Sequence, residues 1–230
     1  MTHPLSDIST GNIIYCLERR LNIHGCFMTG VKPVTAANRF AGRARTLRCL
    51  PPRTDLVKAQ RDSGAPSPHR VAIDSIRDGE VLVIEARGEL EAATAGDLLA
   101  ARVKAAGGTG IVTDGCVRDL PGLRALDFPV FSAGVHATTF SSRHLAVAID
   151  VPVCCGRVTV QPGDFLVGDE EGVAVVPERI IETLVELARE QEELDEFSLE
   201  KINEGAPLSR AYPLDAEYRA EFEAQRKENS

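Results

Sequence analysis

The first third of the chain carries an amphipathic stretch, an alternating stretch and a proline-rich stretch. A helix is predicted over residues 6–22, where apolar side chains recur on one side: Ile13, Ile14, Cys16, Leu17 and Leu21. Residues 40–50 alternate apolar and basic side chains, which is typical of a strand. Residues 51–69 contain four prolines and are predicted to form a loop.

The middle of the chain alternates between strand and helix patterns. Buried strands are predicted at residues 77–86, 110–115 and 128–134, and helices at residues 93–108 and 120–127. Strands separated by helices pair in parallel through right-handed crossovers. The pattern therefore predicts an α/β fold.

The last third changes to short apolar runs and then to a long helix. Residues 145–176 contain PGD and DEEG turns between apolar runs and are predicted to form antiparallel hairpins. A long amphipathic helix is predicted after Pro177, with these apolar positions on one face: Ile181, Leu184, Val185 and Leu187. We expect residues 1–205 to form one α/β domain. Residues 206–230 are predicted to be a charged extension that packs on a neighbouring subunit or is partly disordered at its end.

Composition narrows the classes of partner. The net charge of -8 argues against a nucleic-acid partner, although one local arginine can still bind a small anion. No apolar run is long enough to span a membrane, and the N-terminus lacks the pattern of a secretory signal, so a cytoplasmic protein without a membrane partner is expected. None of the six cysteines has C-x-x-C spacing, and all six are predicted to be buried or half-buried thiols.

Familiar catalytic motifs are missing from the sequence. The glycines of AAGGTGIV follow a helix and precede a strand, which is the reverse of a dinucleotide-binding loop, so they are interpreted as a helix stop. H-E-x-x-H, G-x-S-x-G and P-loop patterns do not occur. His136 and His144 lack neighbours at metal-ligand spacing, so structural or surface roles are predicted for both.

Two short segments are the best candidates for chemistry. In ATAGDLL, Gly96 and Asp97 open a helix, and the amides of Leu98 and Leu99 are expected to be unpaired donors that attract anions. Arg118 and Asp119 follow the next strand, so they are expected at the same sheet edge. Arg118 suits a carboxylate, and Asp119 suits Mg²⁺ or Mn²⁺. The alternative is a helix-opening aspartate and an unrelated surface ion pair.

A wider set of motifs resembles a known family. Asp97 is followed after twenty residues by Arg118 and Asp119, and residues 25–190 also contain GCFMTGVKPV, DGCVRD, FPVFSAG and QPGDFLVGDEEGVAVVP. Together these resemble the class II pyruvate aldolases that cleave 4-hydroxy-4-methyl-2-oxoglutarate and 4-carboxy-4-hydroxy-2-oxoadipate. Regulator of ribonuclease activity A is similar in fold.

The resemblance implies a β/β/α swivelling-domain sandwich with a mixed sheet, N-terminal helices and a long C-terminal helix. It also implies a homotrimer or homohexamer with the active site between subunits. Asp119 would bind the divalent metal, Mg²⁺ or Mn²⁺, and Arg118 would hold the carboxylate and carbonyl of pyruvate. The backbone from Gly96 to Leu99, including Leu98, would contact the same carboxylate, and Asp97 would hold a metal-bound or catalytic water.

The implied activity is metal-dependent retro-aldol cleavage of a 4-hydroxy-2-oxo acid, releasing pyruvate through a metal-stabilised enolate. Oxaloacetate decarboxylation passes through the same enolate, so it is expected as a side activity. Two alternatives stay open: a non-catalytic regulator that binds an endoribonuclease, and a 2-oxo sugar-acid dehydratase that uses the same site. The sequence selects neither the acidic residues of a neighbouring subunit nor the substrate beyond its pyruvate half.

Overall fold

The computed structural model describes residues 3–228, and a mixed sheet of nine strands organises them. The strands are β1 (Lys32–Pro33), β2 (Phe40–Leu50), β3 (Glu80–Glu85), β4 (Ala93–Ala95), β5 (Gly110–Val117), β6 (Val130–Val135), β7 (Leu145–Ile149), β8 (Val153–Cys155), β9 (Val158–Val160), β10 (Phe165–Asp169) and β11 (Gly172–Val176). The helices are α1 (Thr10–Tyr15), α2 (Thr54–Asp62), α3 (Pro68–Asp74), α4 (Asp97–Ala105), α5 (Leu120–Ala125), α6 (Ile181–Asn203), α7 (Leu208–Ala211) and α8 (Ala216–Glu228).

The sheet has the order β1-β6-β5-β3-β2-β10-β11, with β4 beside β5 and β7 beside β2. Strands β3, β5 and β6 are parallel, as the alternating pattern predicted, and β2 also pairs with β3 in parallel, so that Val83 lies opposite both Thr46 and Val112. Every residue of β5 is buried, because the central strand of a parallel sheet is covered on both faces. The predicted hairpins also form, as β8–β9 and β10–β11.

Three layers produce the predicted β/β/α sandwich. On one face of the sheet, Val153 and Val160 of the β8–β9 hairpin join Val81, Val83 and other apolar residues of the central strands in one cluster. On the other face, apolar residues of α3, α4 and α5 cover the same strands. Helices α1 and α6 pack against β10 and β11 in a third cluster. The fold-class prediction is confirmed.

Three predicted elements need correction. The loop predicted over residues 51–69 is wrong, because α2 and the start of α3 lie there; the prolines precede helices, and Ser67 caps α3 with Pro68 in its first turn. The helix predicted over 93–108 begins only at Asp97, because residues 93–95 form β4. The helix predicted over 6–22 begins at Thr10 and widens into a π-helix at Cys16–Arg20.

The C-terminal extension is helical as far as the structure describes it. Helix α8 packs on α6 of its own chain, where Phe197 lies 5.6 Å from Phe222 and 6.5 Å from Tyr218, measured between ring centroids. Residues 229 and 230, at the end that was expected to be loosely ordered, lie outside the described residues. Packing of the extension on a neighbouring subunit stays a prediction.

The cysteines follow the prediction with one exception. All six are free thiols; Cys154 is exposed, and the others are buried or half-buried. The prediction is wrong for Cys154 because the middle position of β8 points away from the core. None of the helices within residues 3–228 combines the length and apolar character that crossing a membrane requires.

Candidate functional site

A cavity of about 280 Å³ opens at the carboxyl end of β5. The β4–α4 turn forms one side of it and the β5–α5 turn forms another. The six residues that the sequence singled out all line this cavity: Gly96, Asp97, Leu98, Leu99, Arg118 and Asp119. The sequence therefore placed these residues together correctly, and their chemical roles remain predictions.

Gly96 sits where the two turns approach most closely. Strand β4 runs parallel to β5, and the Arg118 amide donates to the Ala95 carbonyl at 3.0 Å, which holds the turns side by side. A Cβ atom at position 96 would lie only 2.5 Å from Asp119 Oδ2. Because such an approach is too short for a carbon atom, only glycine fits this position without displacing the carboxylate.

Helix α4 begins at the cavity, but one of its amides is already engaged. The Leu98 amide donates to Oδ1 of Asp97 at 2.7 Å, so the expected free donor at Leu98 is occupied by the carboxylate next to it. The Leu99 amide belongs to the first turn and has no acceptor within the helix. A substrate carboxylate that uses both amides would have to displace the Asp97 carboxylate from Leu98.

Helix α5 leaves room for the Asp97 side chain. A Cβ atom at Gly122 would lie 2.8 Å from Cβ and 2.9 Å from Cγ of Asp97. The glycine in α5 therefore lets the Asp97 side chain lie between the two helices, where it faces the cavity.

Arg118 and Asp119 form an ion pair that solvent can reach. Arg118 Nε lies 3.1 Å from Asp119 Oδ2, and the two side chains are 39% and 41% exposed. At such exposure, an ion pair contributes only ~0–1 kcal/mol to stability. The pair is exposed, as the alternative predicted, but it is not unrelated to the Gly96–Asp97 turn, because both line the same cavity.

Asp119 adopts a left-handed backbone conformation, with φ 57° and ψ 43°. Aspartate and asparagine tolerate this conformation better than most residues, because their short polar side chains bond locally. The side chain does not cap α5, although Asp119 is its N-cap residue. Its carboxylate is thus held beside Arg118 instead of at the helix end.

An aromatic wall closes one side of the cavity, and sequence analysis missed it. The His69 ring stacks on Phe140 with centroids 4.1 Å apart and planes 5° apart, and its Nε2 donates to the Thr94 carbonyl at 2.9 Å. Burial lowers the pKa of His69 to about 4. His69 was missed because α3 was mistaken for a loop; the Ser67–Pro68 helix start is the signal that would have found it.

The two histidines that were predicted to be structural do lie in such positions. His144 is buried, and its Nε2 lies 3.4 Å from the Ala92 carbonyl, while its ring tilts against Phe140. His136 is half-buried, and its Nδ1 accepts from the Thr138 amide at 3.2 Å. Both side chains therefore fix loop segments around the cavity.

The donor set of the cavity favours a hard cation that keeps most of its water. Among residues 3–228 there is no cluster of three or more His, Cys, Asp and Glu side chains that could enclose a metal. The two carboxylates at the cavity, Asp97 and Asp119, suit Mg²⁺ or Mn²⁺, which need few protein ligands. They do not suit a structural zinc ion, which takes four protein ligands.

Comparisons with known proteins converge on one group. A sequence model of the RraA-like family, described as Aldolase/RraA, matches residues 5–175, which include both cavity turns. A protein of Halalkalibacterium halodurans named "Putative 4-hydroxy-4-methyl-2-oxoglutarate aldolase" is 33% identical over 183 residues, covering 79% of this chain and 80% of that protein.

Solved structures agree with the sequence match. Streptomyces coelicolor RraAS2, described as an unusual member of the RNase ES inhibitor RraA protein family, superposes with a TM-score of 0.78 at 32% identity, covering 86% of this chain and 96% of that one. An uncharacterized protein from Pseudomonas syringae pv. tomato superposes with a TM-score of 0.78 at 26% identity, covering 91% and 94%.

Proposed function

The chain belongs to the RraA-like family, and we propose that it is a divalent-metal-dependent lyase that cleaves a 4-hydroxy-2-oxo acid and releases pyruvate. Oxaloacetate decarboxylation is proposed as a side activity, because it leaves the same enolate. The observation that carries the proposal is the convergence of Asp97, Arg118 and Asp119 with the Gly96 turn on one cavity. The aldolase name of the Halalkalibacterium halodurans relative supports it.

The residues present fit the metal that this proposal needs. Asp119 would hold it, and Asp97 would hold a water beside it. When bound, Mg²⁺ or Mn²⁺ supplies a Lewis acid that stabilises negative charge on the keto oxygen of the substrate.

Side chains and amides of the cavity bind the substrate carboxylate and transfer the proton. The Arg118 guanidinium binds the pyruvate carboxylate, and the Leu99 amide reinforces it. The Leu98 amide joins them only where the Asp97 carboxylate turns away from it. Asp97, acting through a water, accepts the proton of the C4 hydroxyl as the C3–C4 bond breaks. The electron pair of that bond stays with C3, and a proton delivered to C3 completes pyruvate.

The deciding experiment is oxaloacetate decarboxylation with and without metal. Purified protein should release pyruvate in the presence of Mg²⁺ or Mn²⁺, and EDTA should abolish the activity. Asp119→Asn should abolish it as well, while asparagine still tolerates the left-handed backbone at this position. Full activity in EDTA would sink the proposal.

We also propose that a neighbouring subunit completes the site in a homotrimer or homohexamer. Leu90 and Val135, near the same edge of the sheet, are 49% and 52% exposed, and exposed apolar side chains of this kind suit a contact between subunits. Light scattering coupled to gel filtration measures the assembly, and a monomer at assay concentration would refute this part.

A non-catalytic regulator is the second candidate. The similarity to Streptomyces coelicolor RraAS2, described as a member of an RNase ES inhibitor family, favours it. Inhibition of such an endoribonuclease at physiological salt, by protein that has no lyase activity, would favour the regulator over the lyase. A dehydratase would be recognised by NMR, because its product keeps the carbon skeleton of the substrate.

A further inference from the structure

The aromatic wall of the cavity carries one polar atom that the proposed chemistry does not use. His69 lines the cavity and is 9% exposed, and its Nδ1 has no hydrogen-bond partner within residues 3–228. The Nδ1 of His144 is also unpaired, but that atom is sealed from solvent, whereas the Nδ1 of His69 is not. A molecule bound in the cavity can therefore reach the free nitrogen of His69.

The hydrogen bond of the opposite ring nitrogen determines the chemistry of Nδ1. A backbone carbonyl can only accept, so the 2.9 Å contact between His69 Nε2 and the Thr94 carbonyl requires a proton on Nε2. Burial lowers the pKa of His69 to about 4, so the ring is neutral at pH 7 and carries no second proton. Nδ1 is therefore an acceptor with a free lone pair, and it can bind an O–H donor.

Three contacts hold this acceptor in one place. The His69 ring stacks on Phe140, with ring centroids 4.1 Å apart. Thr94 accepts the Nε2 hydrogen bond and is itself anchored, because its Oγ1 donates to the Cys116 carbonyl at 3.0 Å. Strand β4, which contains Thr94, leads directly into the Gly96 turn. The acceptor is thus fixed relative to the turn where the proposed chemistry takes place, and a group held in this way needs no rearrangement on binding.

We propose that His69 Nδ1 accepts a hydrogen bond from the O–H group that reacts at C4, which is either the C4 hydroxyl of the substrate or the water that takes up its proton. This inference rests on the lyase function proposed above and adds one binding residue to it. As before, the C3–C4 bond breaks, the hydroxyl proton passes through the water to Asp97, and C4 becomes a carbonyl carbon. The electron pair remains on C3, which takes up a proton, and His69 stays neutral throughout.

Two reactions of the same site differ in this O–H group. Cleavage of 4-hydroxy-4-methyl-2-oxoglutarate removes a hydroxyl proton at C4, whereas decarboxylation of oxaloacetate breaks its C3–C4 bond without removing one. Both reactions release pyruvate, which is measured by its methyl signal in proton NMR. The ratio of the two kcat/KM values within one variant cancels any general loss of activity.

Position 69 offers a matched pair of variants. His69→Gln places an amide nitrogen as many bonds from Cα as Nε2 is, so it keeps the hydrogen bond to Thr94 and lacks the Nδ1 acceptor. His69→Asn places Oδ1 as many bonds from Cα as Nδ1 is, so it keeps the acceptor and lacks the bond to Thr94. The ratio of cleavage to decarboxylation should fall by about tenfold in His69→Gln and stay within about threefold of wild type in His69→Asn.

Several outcomes would overturn the inference. A purely structural His69 predicts that His69→Gln keeps the wild-type ratio, because the bond to Thr94 is what holds α3 against β4. Equal losses of both reactions, with a changed elution volume in gel filtration, would show that the ring supports assembly instead. A wild type that decarboxylates oxaloacetate but does not cleave the hydroxylated substrate refutes the inference and leaves the decarboxylase standing. A wild type that does neither refutes the lyase function itself.

Exchange of pyruvate methyl protons with D₂O, in the presence of Mg²⁺ or Mn²⁺, distinguishes the two sources of the O–H group. Pyruvate has no C4 hydroxyl, so an acceptor for that hydroxyl leaves exchange in His69→Gln within about twofold of wild type. An acceptor for the water lowers exchange together with cleavage, since the same water then moves the methyl proton. Either result, with the expected fall in the ratio, supports the inference and assigns the donor.

Discussion

Replacing Gly96 with alanine should impair the site while leaving the fold nearly intact. The added Cβ would lie 2.5 Å from Asp119 Oδ2, 3.3 Å from Arg118 Cγ and 3.4 Å from Arg118 Nε. Ordinary contact begins at 3.4 Å, so the Asp119 carboxylate must retreat by about 1 Å, the difference between 3.4 and 2.5 Å. A misplacement of this size at a reacting centre costs ~10²-fold, and we expect kcat/KM to fall by about that factor.

Stability should respond much less to the same change. The φ of Gly96 is -132°, an extended value that alanine adopts without strain, and the displaced carboxylate is 41% exposed, so it can move into solvent. Alanine is a poorer N-cap than glycine, but it also lowers the entropy of the unfolded chain, and the two effects partly cancel. The free energy of unfolding should therefore change by less than about 1 kcal/mol.

The assay combines pyruvate release from oxaloacetate, corrected for the spontaneous reaction, with urea unfolding. Gly11→Ala is the matched control. Gly11 lies in α1, far along the chain from the cavity turns, and a Cβ atom there would lie 3.4 Å from Glu171 Oε2, an ordinary contact distance. It should keep full activity and gain up to ~1 kcal/mol of stability. Full activity in Gly96→Ala would refute the close-approach reasoning, and a loss of several kcal/mol would show that the backbone, and not the carboxylate, had been displaced.

Three further predictions concern other parts of the site and the core. Arg118→Lys should raise KM at least ~10-fold in steady-state assays, because lysine lacks the planar fork that binds a carboxylate; an unchanged KM would place the carboxylate elsewhere. The folded pKa of His69, about 4, lies below its ordinary value of 6.5, so its contribution to stability is complete above pH 6.5 and is lost as the pH falls toward 4. Wild type should therefore lose ~2–3 kcal/mol more than His69→Gln between pH 7 and pH 4.5 in urea titrations, and equal losses would contradict the assignment. Among the thiols, exposed Cys154 should react first with a disulfide reagent under native conditions, whereas Cys49, whose pKa burial raises to about 12, should react only after unfolding; mass spectrometry of labelled peptides checks the order.

The parallel core was predictable because it depends on local patterns. Continuous apolar runs such as those of β3 and β5 occur where both faces of a strand are covered, and helices between them fix the pairing direction. The joint position of Asp97 and Arg118 followed from the same topology, since loops after parallel strands share one edge.

The errors arose where long-range contacts decide the structure. Residues 93–95 have the composition of a helix, yet β4 forms because these residues pair with β5, and the Ala93 amide also donates to the Thr138 carbonyl at 2.9 Å. The prolines around α2 and α3 were taken as breakers, although proline at the start of a helix is favourable. His69 went unnoticed for the same reason, so the aromatic side of the cavity could not be predicted.

The left-handed backbone at Asp119 places two separate requirements on this residue. One is a side chain that tolerates the backbone conformation, and the other is a negative charge. The backbone conformation at position 119 suits aspartate, asparagine and glycine, whereas most other residues would add ~1–2 kcal/mol of conformational energy. Glutamate would keep the charge and lose the shape, while asparagine would keep the shape and lose the charge. Under the proposed function the metal depends on the charge and the fold depends on the backbone, so a relative without the proposed activity can carry asparagine here and still fold.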